Sequence, residues 1–151
     1  MKLKIGIFDS GIGGFTILRS LLETRKDIEV FYLADTKRVP YGNKDIVQIR
    51  SIAKEICNWF KDKNLDALLI ACNTTNACAL DILENNLGVP CFDLIHSVSE
   101  TVTKKNIAEL NAYANPIPTN ENLSFKTPAR TKNIIVIINP SLAIYLNSPF
   151  E

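Results

Sequence analysis

The sequence predicts an α/β fold: a parallel sheet of four strands flanked by helices, followed by a poorly structured C-terminal tail. Three observations carry this prediction. Short apolar runs alternate with segments whose apolar residues recur at helical spacing, from Leu3 to about Lys105. Each run ends in polar residues, and in a parallel sheet those ends share one edge. After Asn106 the pattern fades into a stretch rich in Asn, Pro and Thr.

Taken in order, Leu3 to Phe8 is the first strand, and Asp9-Ser10-Gly11-Ile12-Gly13-Gly14 is a glycine-rich turn. Phe15, Ile17, Leu18, Leu21 and Leu22 then have helical spacing. Ile28 to Ala34 is a second strand, ending in Asp35-Thr36 and a loop with Arg38, Pro40, Tyr41 and Gly42. Val47, Ile49, Ile52, Ala53, Ile56, Trp59 and Phe60 mark an amphipathic helix. Ala67 to Ala71 is a buried strand leading to Cys72. Thr74 and Thr75 are suited to cap the helix that follows, which runs to about Asn86 and stops at Gly88-Val89-Pro90. Cys91 to Ile95 is a fourth strand, and Ser97 to Lys105 a further helix. Strands alternating with helices imply right-handed crossovers. Asn111 to Arg130 reads as loop or disorder. Asn133 to Asn139, NIIVIIN, is an apolar strand candidate closed by Pro140, with little chain left to supply it with a partner.

Cys72 is where chemistry is expected. A thiol between a strand's C-terminal end and a helix N-terminus lies where open α/β sheets bind ligands, beside amides and a dipole that favour a thiolate. A buried structural thiol is the competing reading. The cysteine-phosphatase loop needs an arginine six positions on, where Cys78 stands. Cys57, Cys78 and Cys91 suit core filling, and His96 suits a cap or the surface. The turn after Asp9 lacks the third glycine of a dinucleotide fingerprint and the Gly-Lys-Ser/Thr of a Walker A loop. It also lacks the second acid of a D-x-D phosphatase. What remains is a turn that offers amides to a small anion beside a carboxylate, or else a tight capped turn.

The totals set limits. The 151 residues suit one core-forming domain, 46% hydrophobic and 22% charged. A net charge of +1 argues against a nucleic-acid or membrane-surface partner. No apolar run is long enough to span a bilayer, and MKLKIGIFDSG is broken too early by Asp9 to be a signal peptide. Cytoplasm is the expected location. The four cysteines form no C-x-x-C pair, so no zinc or thioredoxin motif is indicated.

Three segments together resemble the glutamate racemases of the aspartate/glutamate racemase family. They are Ile7 to Gly14 (IFDSGIGG), Ala34 to Gly42 (ADTKRVPYG) and Ala71 to Thr74 (ACNT). The resemblance covers residues 3 to about 100, the N-terminal part of the family. It implies a flavodoxin-like domain over 1–106, an irregular insertion over 107–131, and over 132–151 a remnant of the strand that opens the family's second domain. It also implies cofactor-independent interconversion of L- and D-glutamate, supplying D-glutamate for peptidoglycan and so for cell-wall biogenesis and cell shape. In that chemistry one thiolate removes the Cα proton and a second thiol donates one to the opposite face. Access to both faces is what inversion requires. Cys72 is implied as one base, with Asp9 assisting it. Asp9 and Ser10 are implied to contact the substrate's ammonium. Tyr41, Gly42, Asn73 and Thr74 are implied to bind its carboxylates. No metal is implied, and a homodimer is a possible partner arrangement.

Two departures stand out. Thr75-Asn76-Ala77 replaces the family's usual Ala-Ser-Ala, and no Gly-Cys-Thr-His motif, which carries the second catalytic cysteine, is present. The expectation is therefore a truncated chain, inactive as a racemase on its own. The alternatives are a non-catalytic binding or decoy fragment, a decayed gene product, and, behind these, a thiol hydrolase using Cys72 and His96.

Overall fold

The computed structural model describes residues 2–104, 134–139 and 142–146. Four strands form an all-parallel sheet: β1 (Leu3–Asp9), β2 (Ile28–Ala34), β3 (Ala67–Ile70) and β4 (Cys91–Asp93), in the spatial order β4-β3-β1-β2. The helices are α1 (Phe15–Thr24), α2 (Ile46–Lys61), α3 (Asn73–Leu87) and α4 (Leu94–Lys104). Two further strands extend the sheet beyond the four expected. Strand β5 (Ile134–Asn139) pairs parallel with β2, and β6 (Leu142–Leu146) pairs antiparallel with β5. The NIIVIIN strand thus finds its partner in the open edge of β2, a long-range pairing that local spacing does not reveal. The expected insertion over 107–131 lies outside the described residues.

The helices cover the sheet on two faces. Leu18 and Leu22 of α1 pack with Ile5, Ile7, Ile28, Val30 and Tyr32. On the other face Ile49, Ile52, Ile56 and Phe60 of α2, with Ile82 and Leu83 of α3, pack against Phe8, Phe31, Leu33, Leu68 and Ile70. Alternate residues of β1 and β2 therefore serve different layers, although both strands read as continuous apolar runs. That is the expected pattern for strands buried on both faces.

Local chemistry sets the helix ends. Asp45 closes a capping box on α2: its carboxylate accepts from Gln48 N, and the Gln48 side chain accepts from Asp45 N. Gly88 ends α3 in the left-handed region at φ 68°. Helix α4 begins three residues earlier than its spacing suggested. Asp93 Oδ1 accepts from His96 N at 2.6 Å, and the Asp93 carbonyl accepts from the Ser97 hydroxyl. Asp93 is therefore the polar stop of β4 and the start signal of α4 at once.

Candidate active site

The sheet order reverses between β1 and β3. From β1 the chain first crosses to β2 on one side, and later strands add on the other. In open α/β sheets such a reversal is where ligands bind, at the C-terminal strand ends, here those of β1 and β3. Asp9 ends β1, and Cys72 follows β3 after one residue, so both stand at this point. The ends are tied together by backbone bonds. Ala71 N donates to Phe8 O at 2.7 Å, and Asp35 N donates to Asp9 O at 3.0 Å.

Cys72 is the N-cap residue of α3 and is only 3% exposed. Its carbonyl accepts from Asn76 N at 3.0 Å, and its thiol side lies in the α2/α3 layer with Phe8, Tyr41 and Ile70. The threonines therefore do not cap the helix; Thr74 and Thr75 lie inside its first turn. Asn76 does the anchoring, since its Nδ2 donates back to Ile70 O at 3.1 Å. Thr75 is buried and its hydroxyl has no partner. Asn73 is exposed and Thr74 half-buried, both directly after the thiol.

Asp9 is 6% exposed, and its Oδ2 accepts from Gly14 N at 2.8 Å. The glycine turn thus folds back on the carboxylate that precedes it, with Ser10 half-buried beside it. Gly14 is required by close approach. A Cβ there would stand 2.7 Å from Tyr32 Oη, 2.9 Å from Ala71 Cβ and 3.1 Å from Asp9 Cβ. Gly11 has open space around it.

The loop after β2 is held by a buried carboxylate. Asp35 is 1% exposed. Its Oδ2 accepts from Arg38 Nε at 2.6 Å and from the Tyr41 hydroxyl. Arg38 Nη1 also reaches Glu55 Oε2 on α2 at 2.6 Å. Burial works against the Arg38 charge, but the Asp35 and Glu55 carboxylates outweigh it and raise the guanidinium's pKa. Burial, then the hydrogen bond to Asp35, pushes the Tyr41 phenol far above its ordinary value, with a smaller contribution from Cys72. Tyr41 is therefore a core residue near the thiol, its ring 6.4 Å from that of Phe8, while Gly42 beside it is exposed. The Asp35–Arg38–Tyr41 cluster was not assigned from sequence. Its signals in the sequence are Asp35 at a strand end, three residues before an arginine, and the Ala34 to Gly42 segment that holds all three.

The remaining cysteines belong to the same α2/α3 core layer, Cys57 within it and Cys78 and Cys91 packed against it. Cys57 lies in the α2 core with its Sγ 3.6 Å from Ile82 O, and Cys91 lies in β4. Burial pushes both thiols up, Cys91 to about 11. His96 is on the exposed first turn of α4. Among the described residues no group of three or more His, Cys, Asp or Glu is placed to hold a metal ion. No helix among them is long and apolar enough to cross a membrane.

No protein-family model matches the chain. Among curated proteins it is 50% identical over 108 residues to a glutamate racemase of Prochlorococcus marinus (strain NATL1A), an overlap of 72% of this chain and 41% of that protein. Among solved structures it resembles glutamate racemase from Aquifex pyrophilus with a TM-score of 0.63 and 40% identity, over 69% of this chain and 42% of that one. It also resembles the Francisella tularensis subsp. tularensis SCHU S4 enzyme, solved in complex with D-glutamate, with a TM-score of 0.65 and 35% identity, over 70% and 40% of the two chains. The chain thus spans about 40% of the length of the relatives it matches. Over about 70% of its own length, it is a homologue of the N-terminal part of the glutamate racemases.

Proposed function

We propose that this chain forms one side of a cofactor-independent glutamate racemase site, with Cys72 as the base facing one side of the substrate's Cα. The observation that carries the reading is the convergence of Cys72 and Asp9, both buried, at the point where the strand order reverses. Removing a Cα proton requires a base within hydrogen-bond reach and donors that hold the carboxylate as negative charge spreads into it. The Cys72 thiolate takes the proton and becomes a thiol, while the electron pair passes into the substrate carboxylate. Asn73, Thr74 and the backbone of the exposed Gly42 are the donors suited to bind that carboxylate and its side-chain counterpart, and Ser10 joins Asp9 at the ammonium. Tyr41 serves by anchoring the loop that carries Gly42. Asp9, held by Gly14, faces the ammonium. The setting is the cytoplasm, and D-glutamate for peptidoglycan is the product of the complete racemase site, of which this chain supplies one side.

A proton returned from the same thiol restores the same enantiomer. Inversion needs an acid on the opposite face, and the 151 residues hold no Gly-Cys-Thr-His segment to supply it. The chain alone therefore exchanges the Cα proton without inverting the centre. Circular dichroism of L- or D-glutamate incubated with the purified chain tests this. The expected signal is constant, and net turnover in both directions would overturn the one-sided reading.

A further inference from the structure

Helix α3 is broken about two turns past Cys72. Ala79, buried in the core, has φ −151° and ψ 19°, outside the helical region. The break sets residues 73–78, with Cys72 as their N-cap, apart from the rest of the helix. Such breaks occur where an outside side chain enters the i→i−4 ladder. Here that side chain is Arg50 of α2. Its Nη1 donates to Cys78 O at 3.1 Å and to Asp81 Oδ1 at 2.7 Å, and its Nη2 donates to Asp81 Oδ2 at 2.7 Å. One guanidinium therefore holds the carbonyl before the break and the carboxylate after it. Two turns further along α2, Cys57 Sγ lies 3.6 Å from Ile82 O, so α2 reaches both sides of the break. The Arg50 and Asp81 side chains are exposed, at 39% and 56%, and an exposed pair adds little to global stability. What it adds is direction.

We propose that Arg50 is a positioning residue for Cys72: by tying the end of residues 73–78 to α2 at the break, it sets the direction of the short helical segment that carries the thiol. The segment's other tie is Asn76, whose Nδ2 donates to Ile70 O at 3.1 Å. One tie leaves a segment able to swing about it; two set its direction. Cys72 lies roughly 6 Å along the helix from Asn76, so a swing of about 10° displaces it by about 1 Å. A misplacement of about 1 Å at a reacting group can cost about a hundredfold in rate. That consequence rests on the racemase reading, but the clamp itself does not.

Amide exchange on the 151-residue chain and on Arg50→Gln tests the clamp. The reporter is the Asn76 N–H, which donates to Cys72 O at 3.0 Å. In Arg50→Gln it should exchange at least about tenfold faster, while the urea-unfolding equilibrium constant rises by less than about fivefold, the scale of an exposed ion pair. Arg50→Lys keeps the charge without the fork and should give the same acceleration. An Asn76 N–H that speeds up no more than the unfolding constant rises, or an Arg50→Lys chain that behaves as wild type, would overturn the proposal. Exchange of the glutamate Cα proton then reads the effect on the base. Its maximal rate should fall at least about tenfold in Arg50→Gln, with KM within about twofold; an unchanged maximal rate would overturn the positioning role, since lost stability alone leaves the folded molecules' rate as it was. No Cα exchange by the wild-type chain would sink the racemase reading, while the Asn76 amide still decides the clamp.

Discussion

Replacing Gly14 by Ala perturbs the junction where β1, β2 and β3 meet, and its cost follows from three contacts. The added methyl would lie 2.7 Å from Tyr32 Oη, 2.9 Å from Ala71 Cβ and 3.1 Å from Asp9 Cβ. All three are well inside the optimum of about 3.5–4.0 Å. Two of these neighbours are Cβ atoms held by backbone, Asp9 at the end of β1 and Ala71 just past β3, whose N donates to Phe8 O. The third ends a ring held against Phe15. None yields by turning a flexible side chain, so the methyl must move backbone, and overpacking of this kind costs about 1–3 kcal/mol. Against it stands a gain of roughly 0.4–1 kcal/mol from a stiffer unfolded chain. That gain is available because Gly14 has φ −64°, which alanine adopts freely. The net expectation is a loss of about 1–2 kcal/mol, read as a urea midpoint lower by about 1 M. Gly11→Ala, in open space, is the control and should fall within about 0.5 kcal/mol of wild type. A Gly14→Ala chain as stable as wild type would refute the claim that these strand ends close on the glycine.

Tyr41→Phe removes one donor from the buried Asp35 carboxylate and should cost about 1–3 kcal/mol in urea unfolding; a neutral result would mean that Arg38 alone satisfies it. Gly88→Ala forces a side chain into φ 68° at the end of α3 and should cost about 1–2 kcal/mol; no loss would show that the helix end re-forms without the left-handed residue. Stability should also fall in alkali. Cys91 keeps its proton in the fold to about 11, against an ordinary value of 9.0. The unfolded chain therefore binds fewer protons between those values, and the stabilisation complete below pH 9 is lost as pH rises through 11. The urea midpoint should drop across that window, with a shallower slope in Cys91→Ala; a flat or rising midpoint would contradict the burial of this thiol.

Much of this architecture is legible in the sequence, because buried parallel strands and their helices write strong patterns. Ile28–Ala34 is a strand with the limits its apolar run suggested, and Gly88 stops α3 where it was expected to. What escapes is decided at a distance. Thr74 and Thr75 have the chemistry of caps, yet the tie from Asn76 to Ile70 O starts the helix two residues earlier. The partner of Ile134–Asn139 is β2, more than a hundred residues away, so no local signal could name it. In the candidate site, Asp9, Ser10 and Cys72 could be found because glycines and a cysteine interrupt apolar runs at strand ends. Tyr32 could not, because in the chain it is one aromatic among the apolar residues of a strand. Only the sheet register, which sets it opposite Ile7 and two residues before the partner of Asp9, brings its hydroxyl against Gly14.

The central claim is that Cys72 is a base directed at the Cα of glutamate. Proton NMR of L- and D-glutamate in D2O, with the purified chain and with Cys72→Ala, tests it most directly. The account predicts loss of the Cα–H signal from one enantiomer without inversion, and no loss with Cys72→Ala. Exchange that persists in Cys72→Ala, or the absence of any exchange with the wild-type chain, would contradict it.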